Sequence, residues 1–198
     1  MNARRVHGLR RLGSRRALFT AFGLAVLLVC TEVAAESRPR VGITLHPYYA
    51  YVSQVVGEHA DVVPLIDTGF NPHSYTLSPA DITRLQSMDV LVVNGIGHDE
   101  FAIEAVERLG LPNPQLLNAN EDVPLLGTAN SPNPHTFVSI DAAVRQVYSI
   151  AKGLGEHDPD NAIAYRKNAF AYAKRLRVLK RPLQELLIEK DISDMRIA

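Results

Sequence analysis

Tryptophan is absent and cysteine nearly so, with Cys30 the only thiol among 198 residues. A disulfide framework, a cysteine-ligated zinc ribbon and a cysteine nucleophile further along the chain are thereby excluded. Neither sign of charge is in excess, with 21 Lys+Arg against 21 Asp+Glu, which argues against a uniformly basic nucleic-acid binder. Long apolar runs are missing beyond residue 30, so a polytopic membrane protein is excluded as well. There is no HExxH pair, no phosphate loop and no G-x-S-x-G elbow. Gly95-Ile96-Gly97 begins like a dinucleotide fingerprint, but Glu100 holds the third glycine position. An anion there opposes the pyrophosphate that the positive end of a helix would have to receive. What is present is an ordinary globular composition, 46% apolar, with room for one domain and part of a second.

The first 16 residues carry six arginines and no acid, and the 14-residue apolar run Ala17 to Cys30 follows. The run is short for a membrane span, and Val33 and Ala35 supply small residues at minus three and minus one. This reads as a secretory signal covering residues 1–35, cleaved after Ala35, and it predicts a periplasmic protein. Arg15-Arg16 before the apolar run leaves both general and twin-arginine export open. Lipid anchoring at Cys30 is not expected, because Val29 stands where a lipoprotein signal has a small residue. Cleavage would remove six arginines, Glu32 and the only thiol, leaving a net charge near −5.

Beyond the signal, apolar strands alternate with helical patterns. Val41 to Leu45, Asp61 to Ile66, Val90 to Val93 and Gln115 to Asn118 read as strands. Between them lie helices over Tyr48 to Gly57, Ser78 to Ser87 and Glu100 to Leu109. The second opens on an N-cap serine, a proline and an acid three residues after the cap. The alternation predicts an α/β fold, a parallel sheet flanked by helices. After a loop rich in Asn and Pro, a helix is expected over Asp141 to Leu154, ended by Gly155 and Asp158-Pro159. A long helix from Asn161 to about Lys190 follows, with Pro182 expected to kink or break it. Residues 36–157 hold 6 basic and 14 acidic side chains, whereas residues 158–198 hold 9 and 6. An acidic lobe thus precedes a basic helix, and negative potential concentrates cations in a cleft.

One pattern occurs twice: Asn71-Pro72-His73-Ser74-Tyr75 and Asn133-Pro134-His135-Thr136-Phe137. Each copy lies between a strand and a helix start, at the sheet edge where ligands bind in open α/β folds. Proline fixes its own φ and pushes the preceding Asn toward extended geometry, so each imidazole is presented from a stiffened loop. Neutral imidazole is a good donor for zinc and for other first-row metals. His73 and His135 are therefore candidate metal ligands, and two donors make half a zinc site. His46, after the first strand, and His98, after the third, sit at the same edge and are further candidates, with hydrogen bonding to backbone as their competing role. His59 and His157 lie beside helix ends and are expected to be solvated.

With Ser78-Pro79-Ala80-Asp81 closing the first copy, Asn94-Gly95 after the buried strand, and Asp158-Pro159-Asp160-Asn161-Ala162 opening the long helix, the ordered set resembles a known family. It is similar to the periplasmic zinc/manganese-type solute-binding proteins of ABC transporters, the ZnuA/TroA-like metal receptors built on a helical backbone. Residues 71–81 match that family's D-P-H-x-[YF]-x-x-[ST]-P-x-D stretch, with Asn71 and Asn133 where Asp is usual and Phe137 where Trp is common. The histidine-rich loop of some zinc members is absent between Asn118 and Pro134.

The resemblance implies two α/β lobes joined by one rigid helix, with the ion held between them by His73, His135 and a His and an acid from the second lobe. On that pattern residues 36–157 form the N-terminal metal-binding lobe and 158–191 the backbone helix, while 192–198 start a C-terminal lobe whose remainder is missing. The implied function is capture of zinc, or alternatively manganese, and delivery to a membrane permease. Zinc is preferred because the visible donors are imidazoles, whereas manganese favours oxygen. The polypeptide as given is expected to bind metal weakly unless His46, His98, water or a second molecule completes the shell. It is also expected to dimerise through the uncovered face of the long helix. Two other readings are a truncated, idle paralogue and a metal-dependent hydrolase using the same histidines with Asp99 or Glu100.

Overall fold

The computed structural model describes residues 38–190 except 111, 129 and 130. The signal segment with its cleavage after Ala35, Cys30, and the strand start read at Met195 to Ala198 lie outside the described residues. Four parallel strands, β1 (Arg40–Ile43), β2 (Asp61–Pro64), β3 (Val90–Val93) and β4 (Gln115–Asn118), form one sheet in the order β2-β1-β3-β4. Helices α1 (Pro47–Val56), α2 (Pro79–Gln86) and α3 (Glu100–Leu109) connect them. A two-stranded antiparallel hairpin, β5 (Gly127–Thr128) with β6 (Ser131–Pro132), follows, and then helices α4 (Ile140–His157) and α5 (Ala162–Glu189). Among the described residues no helix is long and apolar enough to cross a membrane.

Alternation along the central strands divides the core into two layers. Val41, Ile43, Val90 and Val92 face one side, where α1, α4 and α5 contribute Tyr48, Val52, Val55, Val147, Ile150, Leu154, Tyr165 and Ala169. Leu91 and Val93 face the other, against Leu85, Met88, Ala102 and Val106 from the α2 and α3 side. Every residue of β3 is buried, as a parallel strand covered on both faces requires. Each fully buried aliphatic side chain contributes about 1.5–3 kcal/mol relative to exposure, so these layers hold the sheet rigid beneath its loops.

Two elements differ from the sequence expectation. Helix α4 does not end at Gly155 but continues to His157, because that glycine serves contact between helices. A methyl group placed on it would lie 3.0 Å from Cβ of Ala162 in α5. Pro182 does not break α5, which runs unbroken for 28 residues. The Val178 carbonyl that a proline leaves without its helical donor belongs to an exposed residue, within reach of water.

A candidate metal centre of three histidines

All four parallel strands end at the same edge, and the chain leaving each carries one histidine: His46 after β1, His73 after β2, His98 after β3 and His135 after β4. Strand β1 has neighbours on both sides, so the chain reverses its direction of travel across the sheet at this point. Ligands of open α/β sheets collect outside the carboxyl ends of strands at such a reversal.

The His73 loop is pinned at both ends. Asn71 is extended, and its Oδ1 accepts from the His73 backbone N–H at 3.1 Å. Downstream, Ser78 caps α2 and Asp81 closes the box, its Oδ2 accepting from Ser78 N (2.8 Å), Ser78 Oγ (2.7 Å) and Tyr75 Oη (2.8 Å). Burial acts to raise the Asp81 pKa, but these bonds and Arg84 outweigh it and hold the carboxyl below its ordinary value.

The His135 loop repeats the device with one addition. Asn133 Oδ1 accepts from the His135 backbone N–H at 3.0 Å and meets ring Nδ1 at 2.9 Å. Because the amide atom bonded to a backbone N–H must be oxygen, Nδ1 carries the ring proton and Nε2 is left as the lone-pair donor. Tyr51 Oη donates to Phe137 O at 3.0 Å and fixes the far side of the loop; burial pushes that phenol up to about 12.

His98 stands in the left-handed region with φ 76°, the one non-glycine positive φ among the described residues. Such a conformation costs about 1–3 kcal/mol and persists where the surroundings over-determine it. Its Nε2 is shut off from solvent, with no hydrogen-bond partner among the described residues. Burial first, then the neighbouring His73 and His135, push its pKa down against the opposing pull of Glu100, which favours the neutral, metal-binding ring.

The structure brings His73, His98 and His135 together. One nitrogen from each lies within 4.8 Å of the others, and the ring of His98 is 4.1 Å from that of His73 and 4.6 Å from that of His135. His46 lies outside this group, its Nε2 buried and unpartnered. His157 meets Gln115 at 3.2 Å, and His59 packs edge-on against Tyr165. The carboxylates considered as enzymatic ligands are not in the group either. Asp99 is fully buried and turned inward, accepting from Thr44 Oγ1 at 2.9 Å, from Gly95 N at 3.3 Å and from Asn94 N. Burial raises its pKa while these bonds lower it, and burial prevails. Three imidazole nitrogens that close together could supply three of the four donors that zinc usually takes.

Beneath the histidines lies a buried polar network in which the sequence motifs mark only Asn94 and Thr136. Tyr48 Oη donates to Asn94 Oδ1 (2.5 Å), Asn120 Nδ2 donates to Asn94 O (2.8 Å), and Gln146 Nε2 donates to Asn120 Oδ1 (2.8 Å) and Thr136 Oγ1 (2.9 Å). One signal was available: Gln146 is a polar residue on the apolar stripe Ala143, Val147, Ile150 and Leu154.

Residues 41–192 match the family described as zinc-uptake complex component A, periplasmic. The iron-binding protein YfeA of Yersinia pestis is 29% identical over 86% of this chain and 58% of its own. Among solved structures, the solute-binding protein FpvC of Pseudomonas aeruginosa in complex with Ni2+ superposes with a TM-score of 0.71 at 52% identity, covering 76% of this chain and 55% of that one. A second FpvC structure, in complex with Mn2+, gives 0.69 at 53% identity, covering 74% and 55%. The chain spans a little over half the length of these proteins.

Proposed function

Because the chain belongs to the family of periplasmic zinc-uptake component A proteins, we propose that it is the metal-capturing lobe of a solute-binding receptor that serves an ABC transporter in the inner membrane. Zinc is the proposed cargo, and His73, His98 and His135 are its proposed donors. The reading rests on one observation: three imidazoles from three separate strand ends converge within a single ion's reach. Stiff Asn-Pro-His loops hold two of them, and the buried Nε2 of the third has no hydrogen-bond partner among the described residues.

The donor set favours zinc over manganese. Imidazole nitrogen suits zinc, copper and nickel, whereas manganese is held best by carboxylate, carbonyl and water. Four metals appear in the names of the family and its relatives, so the choice falls to the local donors. The acidic lobe around the site raises the local concentration of cations. Three protein donors leave a further position on the ion for another protein surface to supply.

A competition titration of residues 36–198 decides the reading. Zinc should bind at one equivalent and displace manganese, and His73→Ala and His135→Ala should each abolish measurable zinc uptake without unfolding the chain. Manganese bound with zinc excluded would reverse the metal assignment. Binding unaffected by both substitutions would remove the site. A hydrolase built on the same histidines would instead show turnover that disappears in His73→Ala.

A further inference from the structure

Asn94 makes no hydrogen bond to a histidine side chain among the described residues, yet it reaches two of the three histidine loops. It follows β3 directly and is fully buried. Its Nδ2 donates to Gly97 O at 2.8 Å and to Pro134 O at 3.1 Å. Those carbonyls belong to the peptide units that carry His98 and His135. One NH2 group therefore holds the two planes from which two imidazoles project, although the residues lie some forty positions apart in sequence. Its Oδ1 accepts from Tyr48 Oη at 2.5 Å and from Asn120 Nδ2 at 2.9 Å. The amide cannot turn over without facing two carbonyl oxygens with a third.

The loops also touch directly. Gly97 has φ +124°, and a methyl group built on it would lie 3.1 Å from Pro134 Cβ. The strained backbone of His98 follows at once, so the turn needs an anchor outside itself. His73 has its own anchor in Asn71 and none in Asn94.

The geometry points to Asn94 as a positioning residue, a clasp that fixes the separation and mutual orientation of the His98 and His135 rings before any ion arrives. This rests on the metal-receptor reading for its purpose, but the clasp itself is a property of the metal-free chain. Donors held in place in advance lose little freedom on binding, and loss of a group one step from the ligands costs about 10–100-fold in affinity.

The test substitutes Asn94→Asp, which keeps the shape and the acceptor toward Tyr48 but removes the NH2. Tyr165→Phe, which loses a 2.6 Å bond to Asp158 at the start of α5, is the control for general loss of stability. In metal-free protein, Asn94→Asp should speed amide hydrogen exchange in 95–99 and 133–138 together and leave 71–78 unchanged, whereas Tyr165→Phe should change none of the three. With Co2+ as the probe, Asn94→Asp should bind about 10-fold more weakly or worse and show an altered visible spectrum. Unchanged exchange, deprotection of only one loop, or an equal effect in Tyr165→Phe overturns the proposal. Should Asn94→Asp fail to fold, Gly97→Ala presses the same loops apart while leaving the Asn94 amide intact, and the same paired deprotection is required of it. If the unmodified protein takes up no Co2+, the receptor reading fails, and the exchange result still decides the clasp.

Discussion

Asn133 shows how one atom fixes both the place and the tautomer of a proposed ligand. Its Oδ1 accepts from the backbone and from the ring of His135, so the imidazole is aimed and its tautomer chosen together. A carboxylate there would accept more strongly and make Nε2 more basic. Asn133→Asp should therefore tighten zinc binding several-fold in a chelator competition, and Asn133→Leu should weaken it about 10–100-fold. Asp81 supports the other loop through a carboxyl held below its ordinary value of 3.8. A depressed carboxyl contributes stability above the unfolded pKa, and that contribution is lost as pH falls from there through the folded value. Asp81→Asn should thus lower the melting temperature at pH 7, and the gap to the parent should close as pH is taken below about 3.8. Thermal melts across that range would show it, and a gap independent of pH would contradict it.

At the scale of elements, the four strands and the first three helices were legible because each carries a short-range signal: a β-branched run, a capping box, or a glycine after the last apolar position. The errors came where one residue type serves two ends. Gly155 reads as a stop and is a helix contact; Pro182 reads as a kink or a break, and the helix runs on through it where solvent reaches the exposed carbonyl. The β5–β6 hairpin was missed because pairs of two residues leave no period to read. In the site, the doubled Asn-Pro-His motif stands out, whereas the sequence offers only a weaker candidate in His98. Its placement depends on a left-handed turn and on Asn94, neither of which has a sequence period. Pro182→Ala restores a donor and relieves the ring clash in α5, so it should stabilise that helix by up to about 3 kcal/mol. Amide exchange over residues 178–189 should slow, and no change there would mean that the helix already yields elsewhere.

Over the whole described chain, one feature of α5 joins the lobe to whatever lies against its far end. Tyr172 and Leu176 pack on the core, and the same seam continues at three- and four-residue spacing through Leu179, Leu183 and Leu186, which are exposed. An apolar stripe continued beyond its own core marks an interaction face. At micromolar concentration residues 36–198 should self-associate in sedimentation, and Leu183→Glu with Leu186→Glu should return it to a monomer while zinc titration stays unchanged. A monomer in both cases would show that the stripe tolerates water.

Three of the four strand ends each hand a histidine to the cluster, so in the proposed receptor the sheet works like a chuck whose jaws are mounted separately. A change in one connecting loop re-tools the grip for a different ion while the mounting stays untouched, and selectivity in such a scaffold can drift one jaw at a time.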